Sequence, residues 1–234
     1  MKTIAFIFAR GGSKGLPRKN ILPLNGKPLL GYSIDIAKNI REVSEIFVST
    51  DDKDIARIAE QFKAHVILRP KHLAQDDSPE WLSWKHAVDY LNQNNYKFDK
   101  FLSLPTTAPL RNTSDVQACL DLLDTDSNTD VVVTIKESHQ NPFFNMVTIQ
   151  QDGYVKLLSV DGRTYSRRQD PPKIYDMTTV AYVSTPEFIL SADSLFEGRV
   201  KAVNIPRERA IDIDTEIDFM IADTIIKRDN SSND

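Results

Sequence analysis

The apolar run Thr3–Ala9 leads directly into ARGGSKGLPRKN, from Ala9 to Asn20, a segment of three glycines and four cations that fits neither a regular helix nor a strand. Gly11, Gly12 and Gly15 permit φ > 0 and close approach of backbone N–H groups to an anion, while Arg10, Lys14, Arg18 and Lys19 can neutralise phosphate oxygens. Pro17 blocks a helix at this point, so the cations belong to a loop at the carboxyl end of a strand. Open α/β sheets bind their ligands at that edge. The bland alternative is a glycine-rich surface turn. Spacing excludes the two familiar phosphate motifs: neither lysine has the glycines of a Walker A loop before it, and GGSKG does not fit G-x-G-x-x-G.

Strand-like runs at Thr3–Ala9, Glu45–Ser49, His65–Leu68, Lys100–Leu104 and Val131–Ile135 alternate with helical patterns at Leu29–Asn39, Asp52–Phe62, Glu80–Asn92 and Thr113–Leu123. Continuous apolar strands in β-α order predict an α/β, doubly wound, mostly parallel sheet covered on both faces. After Lys136 the pattern changes. Phe143–Gln150 and Tyr154–Ser159 read as two strands joined through Asp152-Gly153, a small β insertion spanning 137–175. Thr178–Val183, a short helix after Pro186, a strand near Val200–Ile205 and a helix from about Thr215 to Lys227 complete a single domain over 1–228. The polar tail 229–234 is expected to fray.

With 234 residues, 41% hydrophobic and 26% charged, the chain can bury a sizeable core. A net charge of −4 argues against nucleic acid as partner, so the cations of the first loop are local. The single Cys119 excludes an internal disulfide, and no long apolar span suggests a membrane segment. With no signal-peptide pattern after Met1, the expected compartment is the cytoplasm.

Three further clusters fall at strand ends or loops. Ser49-Thr50-Asp51-Asp52 either caps the next helix, through Thr50 or Asp51, or faces the first loop. In PTTAPLR, from Pro105 to Arg111, two prolines stiffen a loop offering the hydroxyls of Thr106 and Thr107 and the cation of Arg111. In Ile211-Asp-Ile-Asp214 the carboxylates of Asp212 and Asp214 share one face of an extended segment and repel unless a cation lies between them. Magnesium takes one or two carboxylates together with substrate phosphates, which makes Asp212 and Asp214 candidate Mg²⁺ ligands. The alternative makes Asp214 the cap of the last helix, with Glu216 and Asp218 complementing its dipole. Arg167, Arg168 and Gln169 precede a proline-stiffened turn, and guanidinium groups there would suit a second, acidic substrate. His65, His72, His86 and His139 have no metal-ligand spacing.

ARGGSKGLPRKN, STDD, PTTAPLR, RRQ-x-x-P-x-x-Y and DIDTEID, in that order over nearly the whole chain, resemble the N-acylneuraminate cytidylyltransferases, the CMP-sialic acid synthetases, and the bacterial enzymes that activate legionaminic acid. The resemblance implies a nucleotide-diphospho-sugar transferase-like fold with a dimerisation insertion. It also implies transfer of CMP from CTP to the anomeric hydroxyl of a nine-carbon 2-keto sugar acid with release of pyrophosphate. By the same resemblance, Arg10, Gly12, Ser13, Lys19 and Asn20 would hold the CTP phosphates and adjoining groups, with Arg69 and Ser78 also on the nucleotide. Thr106, Thr107 and Ala108 would line the base and ribose pocket. Arg168, Gln169 and Tyr175 would meet the sugar acid, and Asp212 and Asp214 would hold Mg²⁺; Arg10, Lys19 and this pair form the expected catalytic set. The chain departs from the usual pattern in the longer PTTAPLR loop, in Asp176-Met-Thr-Thr-Val180 and in His139-Gln-Asn-Pro142 followed by two phenylalanines. Rival readings are a cytidylyltransferase for pseudaminic or octulosonic acid, whose octulosonic members usually carry a serine-rich loop, and a silent nucleotide-binding protein.

Overall fold

The computed structural model describes residues 1–158, 162, 165, 167 and 169–231. In chain order the elements are β1 (Thr3–Phe8), β2 (Pro23–Leu24), β3 (Lys27–Pro28), α1 (Leu29–Lys38), β4 (Val43–Thr50), α2 (Lys53–Gln61), β5 (His65–Leu68) and α3 (Glu80–Gln93). They continue with β6 (Lys100–Ser103), α4 (Thr113–Thr125), β7 (Val131–Glu137), β8 (Val147–Ile149), β9 (Val155–Leu157), β10 (Tyr175–Ser184), α5 (Pro186–Ser191), β11 (Val200–Asn204) and α6 (Glu216–Ser231).

Seven strands form one sheet in the order β11-β7-β10-β6-β1-β4-β5. All pairs are parallel except those of β10, which runs antiparallel to both β6 and β7. The alternation within β1 explains the two layers. Ala5 and Ile7 face a core with α1, α2 and α4, whereas Ile4 and Phe6 face a second core built from Trp81 and Trp84 of α3 and Ile189 of α5. The doubly wound, mostly parallel reading is therefore borne out. Buried on both faces, the strands could not have shown the polar alternation of a half-exposed sheet.

Parallel pairing sets the carboxyl ends of β1, β4, β5 and β6 on one edge. The loops that follow these strands share that edge. A bulge in β10 between Thr178 and Tyr182 brings Thr179 there as well. The buried Thr134 hydroxyl holds that bulge: it lies 3.2 and 3.3 Å from the Thr178 and Ala181 carbonyls and accepts the Ala181 N–H at 3.3 Å.

The segment between β7 and β10 is shorter in strand than its sequence suggests. The chain from Asn141 to Asn145 makes a turn, with the N–H groups of Phe144 and Asn145 bonded to the Asn141 carbonyl. The buried Phe143 packs edge-on to Tyr165. Asp152-Gly153 makes the expected hairpin turn, Gly153 at φ 84°. Of the tail 229–234 expected to fray, residues 232–234 lie outside the described residues, and α6 runs on to Ser231.

Candidate active site

A cleft of about 670 Å³ opens on the carboxyl edge of the sheet. Arg10, Ser13, Lys14, Lys19 and Asn20 from the first loop line it, opposite Asp212 and Asp214, with Arg69 and Ser78 on one wall and Thr106, Thr107 and Thr179 on another.

The first loop stays close to its neighbours, and the reason for two of its glycines is contact. A Cβ on Gly11 would lie 2.7 Å from an Asp52 carboxylate oxygen, and one on Gly15 would lie 2.3 Å from the Asp214 carbonyl oxygen. None of Gly11, Gly12 and Gly15 adopts the left-handed conformation expected of it; Arg18 takes that role at φ 54°. Gly12 has open space around it and does not line the cleft. The four cations also divide. Arg18 turns out to Asp54 of α2 at 2.7 Å, leaving Arg10, Lys14 and Lys19 on the cleft.

The neighbouring strand end braces this loop. Asp51 accepts the Gly11 N–H at 3.0 Å, and Asp52, rather than Thr50 or Asp51, caps α2 by accepting from Asp54 and Ile55. Asn20, nearly buried, donates to the Arg10 carbonyl at 2.8 Å and accepts from Thr106, so the first loop and PTTAPLR are locked together. Ala108 lies in a small core with Val180, Ile205 and Ala210 and not on the cleft wall. Arg111 also turns inward. It donates to Ser33, Thr179 and the Pro105 carbonyl, bracing the loop from beneath instead of offering charge to the cleft. Burial pulls its guanidinium down to about 9, opposed by Asp212 and Asp115.

Arg69 is buried, donating to the Ser49 hydroxyl at 3.2 Å and carbonyl at 2.7 Å and lying over the Phe8 ring. Burial lowers it to about 10, with Glu80 and Asp51 opposing, so it remains cationic at neutral pH. Ser78 donates to the His72 carbonyl at 2.6 Å and closes a tight turn.

Asp212 and Asp214 come together at the cleft as the extended spacing predicts. Thr215, not Asp214, caps α6. Its N–H and hydroxyl donate to Asp218 at 2.8 and 2.7 Å, and its oxygen accepts the Asp218 N–H at 3.3 Å. Asp214 is thereby left to pair with Lys19 at 2.7 Å. The Ile213 N–H donates to the Thr107 carbonyl at 2.8 Å, fixing this segment to PTTAPLR. From the other side, Arg209 grips the buried Asp115 of α4 through both nitrogens. Burial, above all, raises the carboxyl of Asp212; hydrogen bonds from Thr107 and Thr179 oppose this, and Asp214 adds to it. One Asp212 oxygen, Oδ1, is buried without a hydrogen-bond partner.

Among the described residues no group of three or more His, Cys, Asp or Glu could enclose a metal. Two carboxylates at the cleft, one with an orphaned buried oxygen, instead suit an oxygen-preferring divalent cation whose other ligands come from phosphate and water. The four histidines stay clear of this cleft. Arg168 lies outside the described residues; Gln169 and Tyr175 do not reach the cleft wall, Tyr175 being the exposed first residue of β10 opposite Glu137.

Sequence reasoning missed Gln75, Asp76, Glu80 and Thr179, all on the cleft. Glu80 opens α3, accepts from the Trp84 indole and lies near Arg69; protein crowding pushes its carboxyl up, and its exposure to water softens that effect. The stretch 73–77 carries neither glycine nor periodicity to mark it, and Thr179 reaches the site only through the β10 bulge.

Cations on a glycine loop at a sheet edge, facing a carboxylate pair across a cleft, define a phosphate-handling α/β nucleotide site. The profile of the cytidylyltransferase family matches residues 4–222, and the chain belongs to that family. It is 33% identical to the CMP-N,N'-diacetyllegionaminic acid synthase of Campylobacter jejuni, over 97% of this chain and 95% of the relative. It is 32% identical to a pseudaminic acid cytidylyltransferase of C. jejuni, over 99% of both. It is 31% identical to the N-acylneuraminate cytidylyltransferase of Streptococcus agalactiae, over 94% of this chain and 52% of the relative. The solved CMP:2-keto-3-deoxy-manno-octonic acid synthetase complexed with CTP shares the fold, with a TM-score of 0.71 at 17% identity over 98% and 100% of the two chains.

Proposed function

We propose that this cytidylyltransferase transfers CMP from CTP to the anomeric hydroxyl of a nine-carbon 2-keto sugar acid of the sialic or legionaminic type, releasing pyrophosphate, in the cytoplasm and as a homodimer. The observation that carries the reading is the one cleft that Arg10, Lys14 and Lys19 line together with Asp212 and Asp214. The sugar hydroxyl attacks the α-phosphorus in line, and the three cations take up the charge that grows on the leaving pyrophosphate. Arg69 and Ser78, which line the cleft, would border the nucleotide, and the Thr106–Thr107 stretch, its hydroxyls bonded to Asn20 and Thr179, would form the wall at its base and ribose end. Asp212 and Asp214 would hold Mg²⁺, which when bound neutralises phosphate charge. No described residue needs to act as a covalent nucleophile: Cys119 is buried and its thiol is pushed up to about 12, chiefly by burial. Arg168 and Gln169 would bring the sugar acid's carboxylate into place from the insertion.

Incubation with CTP and Mg²⁺ and, in turn, N-acetylneuraminic, N,N'-diacetyllegionaminic, pseudaminic and octulosonic acids, with pyrophosphate release as readout, tests this. Fastest turnover with a sialic or legionaminic acid is expected. Preference for pseudaminic or octulosonic acid would replace the sugar assignment, and no release with any acid would overturn the activity.

A further inference from the structure

Asp76 stands on the cleft wall and is not explained by the reaction. It bridges two cations of the first loop, 2.8 Å from an Arg10 guanidinium nitrogen and 2.8 Å from the Lys14 ammonium. Nothing else in the vicinity requires it. Its side chain is 45% exposed, and the turn that carries it is closed independently by the Ser78 hydroxyl on His72 and the Ser83 hydroxyl on Leu73. A carboxylate bridging two cations presents two anionic oxygens at hydrogen-bonding distance, which is also what a phosphate group presents. Exposed ion pairs of this kind are weak and exchange readily. Asp214 on Lys19 repeats the pattern at the other end of the loop, so all three cleft cations of the first loop are already engaged by carboxylates.

We propose that Asp76 is a built-in competitor for the phosphate seat: its carboxylate occupies Arg10 and Lys14 in the open cleft, yields them to the nucleotide's phosphates, and takes them back as pyrophosphate leaves. The inference rests on the nucleotide reading above. Its consequence is a cleft that binds its polyanions less tightly than its cations would allow and frees its product faster. Without Asp76, two cations would stand unneutralised and hold pyrophosphate for longer. The device acts through charge alone, so the longer carboxylate of glutamate should serve and a neutral amide should not.

Calorimetric titration of inorganic pyrophosphate, without divalent cation, into wild type, Asp76→Asn and Asp76→Glu tests this, each at about 50 mM and about 500 mM salt, a span over which screening tightens severalfold. Asp76→Asn should bind pyrophosphate about three- to tenfold more tightly at low salt, as expected for removing one exposed carboxylate that competes for two cations, with the gain shrinking at high salt. Asp76→Glu should stay within about twofold of wild type, and pyrophosphate should inhibit turnover of Asp76→Asn at correspondingly lower concentration. Weaker or unchanged binding by Asp76→Asn at low salt would overturn the proposal and make Asp76 a positioning group for the cations. A gain shared by Asp76→Glu would also overturn it, since the charge would then not be the cause. Failure of wild type and Asp76→Asn alike to bind pyrophosphate would overturn this proposal alone, whereas absence of pyrophosphate release in the turnover assay with Mg²⁺ would overturn the nucleotide reading.

Discussion

At the scale of the residue, the carboxylate pair divides into two unlike groups. Asp214 is 70% exposed and paired with Lys19, whereas Asp212 is half-buried with an orphaned oxygen. The ligand-free fold therefore carries a cost at Asp212 that only a cation or a proton relieves. The direction in pH follows. Below the ordinary carboxylate range Asp212 is protonated in both folded and unfolded chains and makes no difference. As pH rises through that range the unfolded chain loses its proton first, and folded stability falls until Asp212 ionises in the fold as well. Asp212→Asn is accordingly expected to melt about 2–4 °C above wild type at pH 7, as about 1 kcal/mol would give in a chain of this size, and to lose that advantage near pH 3. Its turnover with CTP should fall by about 10²-fold or more, the scale of losing a group that stabilises transferring phosphate. Thermal melts at the two pH values, set beside pyrophosphate-release rates, check both halves; a destabilised variant with proportionate loss of activity would mark Asp212 as structural. Residue identity made this pair legible, because alternation in an extended segment fixes which side chains share a face. It could not do the same for Arg18, Ala108 and Arg111, where irregular backbone decides the direction of each side chain.

At the scale of the element, the site depends on contact between two segments 195 residues apart, the first loop and the run before α6. Gly15 is the point of contact, where an added Cβ would meet the backbone carbonyl of Asp214 rather than a yielding side chain. Gly15→Ala must then separate the loop from the carboxylate run or bend one of them. It should reduce kcat/KM for CTP about tenfold or more while costing about 1–3 kcal/mol of stability, the usual range for overpacking. Steady-state kinetics with a urea melt would show it, and wild-type kcat/KM would mean that the two segments can part without harm. The strands and most helices of this region were legible from β-α alternation within a residue or two of their ends. The caps were not: Thr215 with Asp218, and Asp52 in place of its neighbours, are chosen by local backbone geometry among adjacent residues of equal capping ability. Asp76 and Glu80 escaped notice because a carboxylate in a loop or at a helix start has many ordinary uses.

At the scale of the whole molecule, the segment between β7 and β10 is the part that a single chain leaves unfinished. Val147, Ile149, Tyr154 and Val155 on the β8-β9 ribbon are 55, 78, 75 and 61% exposed, and Tyr175 and Met177 at the start of β10 are also open. A two-stranded ribbon is marginal in water without a partner layer, and apolar side chains gathered on it mark a surface that associates. Just before the ribbon Phe143 is buried, whereas Met146, 40% exposed, adds to the open apolar surface. A second copy suits it, because the same patch on two chains meets itself about a two-fold axis and closes. Multi-angle light scattering at micromolar concentration is expected to give about twice the chain mass. Ile149→Asp combined with Val155→Asp should yield a monomer with an unchanged fold by circular dichroism, since exposed substitutions seldom shift stability by more than about 0.5 kcal/mol. On the proposed function, that variant should also lose affinity for the sugar acid more than for CTP, because the segment carrying Arg168 and Gln169 follows the ribbon in sequence whereas the proposed CTP residues line a cleft formed within one chain. A monomeric wild type would refute the dimer, and a monomeric variant with both KM values unchanged would separate assembly from the sugar site.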